Sequence, residues 1–399
     1  MNNPLIAIFA TVILDAMGTG IIFPILPALL KDITHAENVA LFVGILTALY
    51  ALMQFIFAPL VGALSDRFGR RPVLLFSLGG AAISYIFMTF ATSLPLLILG
   101  RAIAGITGAS LPVAMAYLTD ISPPEKRARH FGLFNAMFGI GFILGPVLGG
   151  MLGDYWARLP FLAASFLNGC NFLLVLFVLP ETRTASRSSF RPAALNPLFP
   201  LRWLLTTEGV LPIVFTFFIL GFAGEACGIC WAMWGHDAFR WNGFMVGLSL
   251  GIFGFFQTFS QVFLPGPAVS ILGERGAILT GITALCAALC AMAFATDGWM
   301  VFAIMPVFAL GGIGTPALQA LASRQAGADQ QGQLQGILSS AMSLSSVIAP
   351  LFFSVFYFTV RNDWPGAIWL VAAITNVIAA PLVLYGIRTS NSVQRKAEE

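Results

Sequence analysis

The sequence predicts an all-α membrane protein, with twelve transmembrane helices in two pseudo-symmetric six-helix bundles. Three observations carry this prediction. Of the 399 residues, 58% are hydrophobic and only 9% are charged, whereas an ordinary soluble domain carries about 25% charged residues. The apolar residues gather into segments close to the roughly 20 that a spanning helix needs. Finally, the chain repeats itself at one fixed offset. Gly62 and Gly266 lie 204 residues apart, as do Gly69 and Gly273, Pro112 and Pro316, Gly132 and Gly336, and Pro146 and Pro350.

The apolar segments run over 5–29, 40–61, 73–92, 95–118, 131–153, 160–180, 209–234, 243–265, 277–296, 299–323, 333–358 and 366–387. They are apolar all round, which favours helices over the alternating ten-residue segments of a membrane barrel. The leader Met1-Asn2-Asn3 is uncharged and the first segment is long, so it reads as a retained helix and not a cleaved signal. The offset divides the chain into an N-terminal bundle (1–180), a polar cytoplasmic linker (181–208) and a C-terminal bundle with a short tail (209–399).

Charge sets the expected orientation. With both termini cytoplasmic, most of the 20 basic residues fall on inner loops. Lys31, Arg158, Arg240 and Arg361 fall outside, and Arg101 lies within a span. That asymmetry follows the positive-inside rule. Trp156, Trp234, Trp241, Trp299 and Trp364 fall near segment ends, where interfacial anchors are expected.

Several chemistries are disfavoured. Twenty basic against seventeen acidic residues is too balanced for a nucleic-acid binder. The five cysteines lie in apolar runs, and Cys227-x-x-Cys230 reads as small side chains within a helix. His35, His130 and His236 are placed in loops, so no metal cluster is expected. No phosphate loop argues for ATP-driven work. A Gly247-Leu-Ser249-Leu-Gly251 run has the letters of a nucleophile elbow but a helical setting, so it reads as a packing face.

Two motifs carry mechanism. The first, Gly62-Ala-Leu-Ser65-Asp66-Arg67-Phe-Gly69-Arg70-Arg71, joins spans 2 and 3. Its glycines are expected to permit a tight turn, and Asp66 to sit near the N-terminus of span 3. With Asp120 and Arg127 of the next inner loop, the motif is expected to form a charge latch that breaks in one transport state. The second motif lies in span 5. There Gly141, Gly145 and Gly149 form a bare stripe and Pro146 invites a bend, which suits a closely packed pivot.

These motifs, with further strings, resemble the major facilitator superfamily and within it the twelve-span drug/proton antiporters. The match is closest to the tetracycline/proton antiporters. It rests on Leu14-Asp15-Ala-Met-Gly-Thr-Gly-Ile-Ile-Phe-Pro, Leu49-Tyr-Ala-Leu-Met-Gln54, Ser65-Asp66-Arg-Phe-Gly-Arg-Arg-Pro, Gly100-Arg101-Ala-Ile-Ala-Gly-Ile-Thr107, Arg127-Ala-Arg-His-Phe-Gly, Pro316-Ala-Leu-Gln319 and Gln331-Gly-Gln-Leu-Gln-Gly336. The resemblance implies two bundles rocking about a midplane cavity lined by spans 1, 4, 7 and 10.

An ionisable side chain at bilayer depth is costly and is by default a functional candidate. Asp15, Arg101 and Glu225 meet that criterion and are assigned to proton coupling. The family pattern carries aspartates in spans 3 and 9 where this chain has Ser84 and Leu285, and a glutamine where it has Glu225. The expectation is therefore that the titrating carboxylate has moved to span 7, beside Asp15. The candidate cavity lining is Gln54, Thr107, Ser110, Asn135, Gln257, Gln261, Gln319 and Ser339.

The implied activity is proton-coupled drug efflux across the bacterial inner membrane, with tetracycline the leading substrate. The alternatives are export of another antibiotic or metabolite, or proton-coupled import of a small metabolite. The chain is not expected to be an enzyme. The partners are a small-molecule drug, protons and the lipid bilayer, without nucleic acid, and the chain is expected to act as a monomer. No cofactor is needed beyond the proton gradient, although tetracycline can travel as a metal chelate.

Overall fold

A computed structural model describes residues 3–36, 39–108, 110–123, 126–182, 210–325 and 331–398. Most of the predicted linker, and all of it that carries arginine, lies outside the described residues. Every regular element among the described residues is helical. In order they are α1 (Asn3–Ile22), α2 (Leu26–Thr34), α3 (Ala40–Phe68), α4 (Arg70–Thr89), α5 (Leu94–Thr107), α6 (Ser110–Ile121), α7 (Arg127–Tyr155) and α8 (Leu159–Val178). There follow α9 (Val210–Phe239), α10 (Gly243–Phe263), α11 (Pro265–Ala293), α12 (Gly298–Leu310), a 3₁₀ turn (Gly311–Ile313), α13 (Gly314–Gln325), α14 (Gln331–Val360) and α15 (Ala367–Glu398). Eleven stretches are long and apolar enough to cross a membrane, and Ala367–Leu382 is a shorter apolar helix.

Several expected spans are interrupted, and prolines explain where. The first segment, read as one helix over 5–29, ends at Ile22 and restarts as α2 with proline in its first turn. Span 4 breaks between α5 and α6. A proline at 112 has no N–H for the carbonyl of Gly108, and its ring crowds that carbonyl. The repeat-related Pro316 stands four residues after Gly312, in the 3₁₀ turn that interrupts span 10. Pro146 and Pro350 instead lie within continuous helices.

The repeat is most legible at two glycines. Gly69 (φ 104°) and Gly273 (φ 69°) are the two glycines with positive φ among the described residues, and they lie one offset apart. Gly69 forms the α3–α4 turn, and Gly273 kinks α11. Gly62, expected at a turn, lies inside α3 with open space where a side chain would begin. His130 and His236, expected in loops, lie in the first turn of α7 and near the end of α9, because both helices run further than their apolar cores.

The chain forms two compact units. The first is Met1–Leu195 with Arg240–Gly254, and the second is Asn196–Phe239 with Phe255–Glu399. In the first, α1 packs on α7 and α8, and α4 packs on α5 and α8. Its core includes Ile8, Leu74, Tyr117 and Val175. In the second, α9 packs on α14 and α15, and α11 on α12, α13 and α15. Trp231, Trp234 and Trp369 form an edge-to-face cluster there, with all three almost fully buried. Trp234 is therefore a packing residue, and Trp241 in the first unit is also buried, whereas Trp156, Trp299 and Trp364 are 50%, 66% and 40% exposed, as interfacial anchors should be.

Candidate functional site

Within the first unit, the break in span 4 organises the site. The carbonyl of Gly108 has lost its helical donor, and a free carbonyl at membrane depth must find another. Gln54 of α3 supplies it, with Nε2 donating over 2.6 Å. Two residues on, α6 begins with Ser110, whose hydroxyl donates to Asp15 Oδ2 at 2.8 Å. Asp15 and Ser110 are both buried. On the other side of the break, Arg101 of α5 lies over the Tyr50 ring at 4.6 Å and donates to the carbonyl of Leu46 at 3.4 Å. The interrupted helix thus gathers Asp15, Gln54, Arg101 and Ser110. Thr107 points its hydroxyl back to Ile103. Asn135 is exposed on α7.

The second unit carries the other carboxylate. Glu225, half-buried on α9, accepts a hydrogen bond from Ser346 of α14 at 2.6 Å. The Ser346 hydroxyl also lies 3.2 Å from the carbonyl of Met342. Phe222 packs its ring on Phe352 and Phe353 one turn away. At the span-10 break, Gln257 and Gln261 of α10 place their Nε2 atoms 3.2 and 3.4 Å from where a side chain on Gly312 would begin. Glutamines therefore attend the interrupted helix in both units. Gln319 and Ser339 are exposed, and no contact joins them to Glu225 among the described residues.

Ser84 and Leu285 take no part in ionic chemistry. The Ser84 hydroxyl donates to its own helix at Ala81, and Leu285 packs against Gly311.

The loop motif is built around Arg70. Its guanidinium contacts Asp66 at 2.8 Å, Asp120 at 3.1 Å and Ser65 at 2.5 Å. The planar fork of arginine is what allows three such partners. Two expectations change here. Asp66 lies in the last turn of α3 and not at the start of α4. The link between the two loops runs from Arg70 to Asp120, while Arg127 donates to Ser122 in its own loop at 3.3 Å. The anion at the N-terminus of α4 is Glu181, which accepts from the backbone N–H groups of Arg70 and Arg71 at 2.9 and 3.1 Å. Sequence reasoning assigned Glu181 to the linker. The signal for its role was an acidic residue directly after the last apolar residue of the sixth span. Arg67 is exposed and lies over Phe68.

The span-5 stripe fits its neighbour closely. A side chain on Gly141 would meet the carbonyl of Ile13 at 2.5 Å, and one on Gly145 would meet that of Met17 at 2.7 Å. One on Gly149 would strike the backbone of Ile21. The stripe therefore seats α1. Another face of α7 takes the Gly243–Gly254 part of α10, which belongs to the same unit, with Gly247 fitting against Pro146 and Gly243 against Gly150. Ser249, from the elbow-like run, is buried in α10 and donates to Val246 at 2.7 Å. Asp154 at the end of α7 accepts from the backbone N–H groups of Gly243 and Phe244 at 2.8 and 2.9 Å.

The Major Facilitator Superfamily profile matches residues 8–235 and 228–399. The chain belongs to that superfamily. The tetracycline resistance protein of class C from Escherichia coli is 47% identical over 385 residues, covering 96% of this chain and 97% of that protein. The class G protein from Vibrio anguillarum is 43% identical, covering 98% and 99%. Among solved structures, the human organic anion transporter MFSD10 superposes with a TM-score of 0.71 at 21% identity, over 96% of this chain and 99% of that one. A point mutant of the nucleoside transporter NupG gives 0.80 at 13% identity, over 96% and 99%. This superfamily member is thus a multi-pass membrane protein of a transporter fold.

Proposed function

We propose that this chain exports tetracycline in exchange for protons. Its setting is the bacterial inner membrane, with both termini cytoplasmic and two six-helix bundles that alternate in access as a monomer. Near full-length identity to proteins named for tetracycline resistance supports the substrate. The drug, free or as its metal chelate, is the cargo, and the proton gradient supplies the energy.

The observation that carries the coupling is one carboxylate inside a span in each unit, each held by a serine hydroxyl. Asp15 pairs with Ser110 and Glu225 with Ser346. Neither forms an ion pair among the described residues. A carboxylate in that setting is costly when charged and tolerable when neutral. Gain or loss of a proton therefore changes which surroundings suit it. Ser346 fits both protonation states. Its single proton goes to ionised Glu225. When Glu225 is protonated, the carboxyl O–H donates to Ser346, whose own proton turns to the carbonyl of Met342. Arg70 and its three partners form the latch, and the Gly141–Gly149 stripe forms the pivot.

The test is tetracycline-driven proton movement in membrane vesicles. Glu225→Gln and Asp15→Asn each abolish it while drug binding persists. Unchanged proton movement in Glu225→Gln removes Glu225 as a carrier.

A further inference from the structure

The second unit contains a cavity between α10 and α12. It occupies about 280 Å³ and is lined by Phe255, Phe256, Phe259, Ser260 and Leu264 on the α10 side and by Pro306 and Leu310 of α12. Phe255 and Phe259 are 59% and 50% exposed on its rim. Its lining is almost wholly apolar. The exception is Ser260, which is 2% exposed and whose Oγ has no hydrogen-bond partner. Ser249 and Ser345 satisfy themselves on their own backbone, whereas Ser77 and Ser354, like Ser260, have no partner among the described residues; of these, Ser260 lines this cavity. An unpartnered buried hydroxyl in a cavity wall points to an acceptor from outside the chain.

Depth identifies the acceptor. The α10 helix is 21 residues long, or roughly 31 Å, close to the thickness of the hydrocarbon layer. Ser260 stands three residues from its end, roughly 4.5 Å along the axis. That is the level at which the ester carbonyls of a phospholipid sit, whichever face of the membrane this end meets. The phenylalanines line the cavity deeper, and Pro306 lies eight residues into α12, roughly 12 Å from its far end. The cavity therefore runs from the boundary toward the midplane, along the path of an acyl chain. Its volume holds about nine small groups at roughly 30 Å³ each. A polyhydroxylated drug would leave most of its polar groups unpartnered against these walls.

We propose that this cavity is a phospholipid site: one acyl chain inserts between α10 and α12, and the Ser260 hydroxyl donates to its ester carbonyl.

Native mass spectrometry of the purified full chain tests this, with added phosphatidylethanolamine and phosphatidylglycerol of defined chains. One adduct is expected to outlast the others. Ser260→Ala lowers its occupancy by roughly two- to tenfold, the range for one hydrogen bond. An ether-linked phospholipid, lacking the ester carbonyl, shows the same loss on the wild-type chain and no further loss on Ser260→Ala. Leu310→Trp fills the cavity and removes the adduct. Leu264→Trp does so from the boundary end should the first variant fail to fold. Equal retention of ester and ether lipids, survival of the adduct in both filled variants, or its displacement by tetracycline would each overturn the proposal.

Discussion

Replacing Gly69 by alanine tests the loop motif against its own repeat. Gly69 and Gly273 both hold positive φ with extended ψ, at 104°/160° and 69°/171°. That region is essentially reserved for glycine, so alanine costs about 1–3 kcal/mol at either position. Their surroundings differ. Nothing lies within 4 Å of a side chain on Gly273, whereas one on Gly69 would meet Glu181 Cδ at 2.6 Å and Oε1 at 2.9 Å. The carboxylate is the free end of a flexible side chain and moves away. It then gives up the N–H groups of Arg70 and Arg71. Water replaces part of those bonds at this exposed edge, leaving a further loss of about 1–2 kcal/mol. The expected cost of Gly69→Ala, from both terms, is therefore about 2–5 kcal/mol, and that of Gly273→Ala, from the backbone term alone, about 1–3 kcal/mol. Thermal unfolding of the purified chain in detergent reads both. A double-mutant cycle separates the terms, because Glu181→Ala should destabilise the wild-type chain and change little in the Gly69→Ala background. Equal costs at the two glycines, or an unchanged Glu181→Ala effect in both backgrounds, would refute the seating of Glu181 on α4.

Four further outcomes are expected. Arg361→Met should cost about 3 kcal/mol, since it strips the cation from Asp237, a carboxylate with only 12% of its side chain exposed. Arg158→Met should cost under about 1 kcal/mol, because its partner Asp32 is 53% exposed; melting temperatures of the two variants check the ordering. Gly145→Ala, which forces a methyl group onto the backbone of α1, should cost about 1–3 kcal/mol. Gly62→Ala, with open space around it, should leave the melting temperature unchanged or slightly raised; a fall would show that Gly62 is closely packed.

The helices were legible because membrane burial demands long apolar runs, and that demand is written in composition. Their interruptions were legible only in part. The α1–α2 and span-4 breaks sit at prolines visible in the sequence, yet Pro146 and Pro350 look the same and break nothing. Whether a proline interrupts depends on what satisfies the freed carbonyl, and Gln54 does so at Gly108 from 54 positions away. Asp15, Arg101 and Glu225 could be found because a charge within an apolar run is conspicuous. Ser346 could not, because a serine in a helix usually bonds its own backbone and nothing local marks it as the partner of Glu225. Glu181 was missed for a related reason: its role is set by two N–H groups more than 100 residues earlier.

The repeat separates what the two halves share from what each does alone. One offset carries the glycine joints at 69 and 273 and the interrupted fourth and tenth spans. It also nearly carries two end-on ion pairs, Asp32–Arg158 and Asp237–Arg361. None of the residues proposed for transport keeps its chemistry under the same shift. Asp15 maps onto Ile219, Arg101 onto Met305, Glu225 back onto Ile21, and Arg70 onto Glu274. The shared positions are places where the backbone bends or a helix end is tied, and those are requirements of a six-helix unit whichever half it forms. Each carboxylate is instead met by a serine on a different kind of neighbour, the start of an interrupted helix for Asp15 and a continuous proline-bearing helix for Glu225. In the coupling proposed above, protonation of one would act on a helix interrupted at a break, and protonation of the other on a continuous helix. Coupling of that proposed kind does not require the carboxylates to be repeat equivalents, so the role proposed for Glu225 needs no charged counterpart in the first unit, where the matching residue is Ile21.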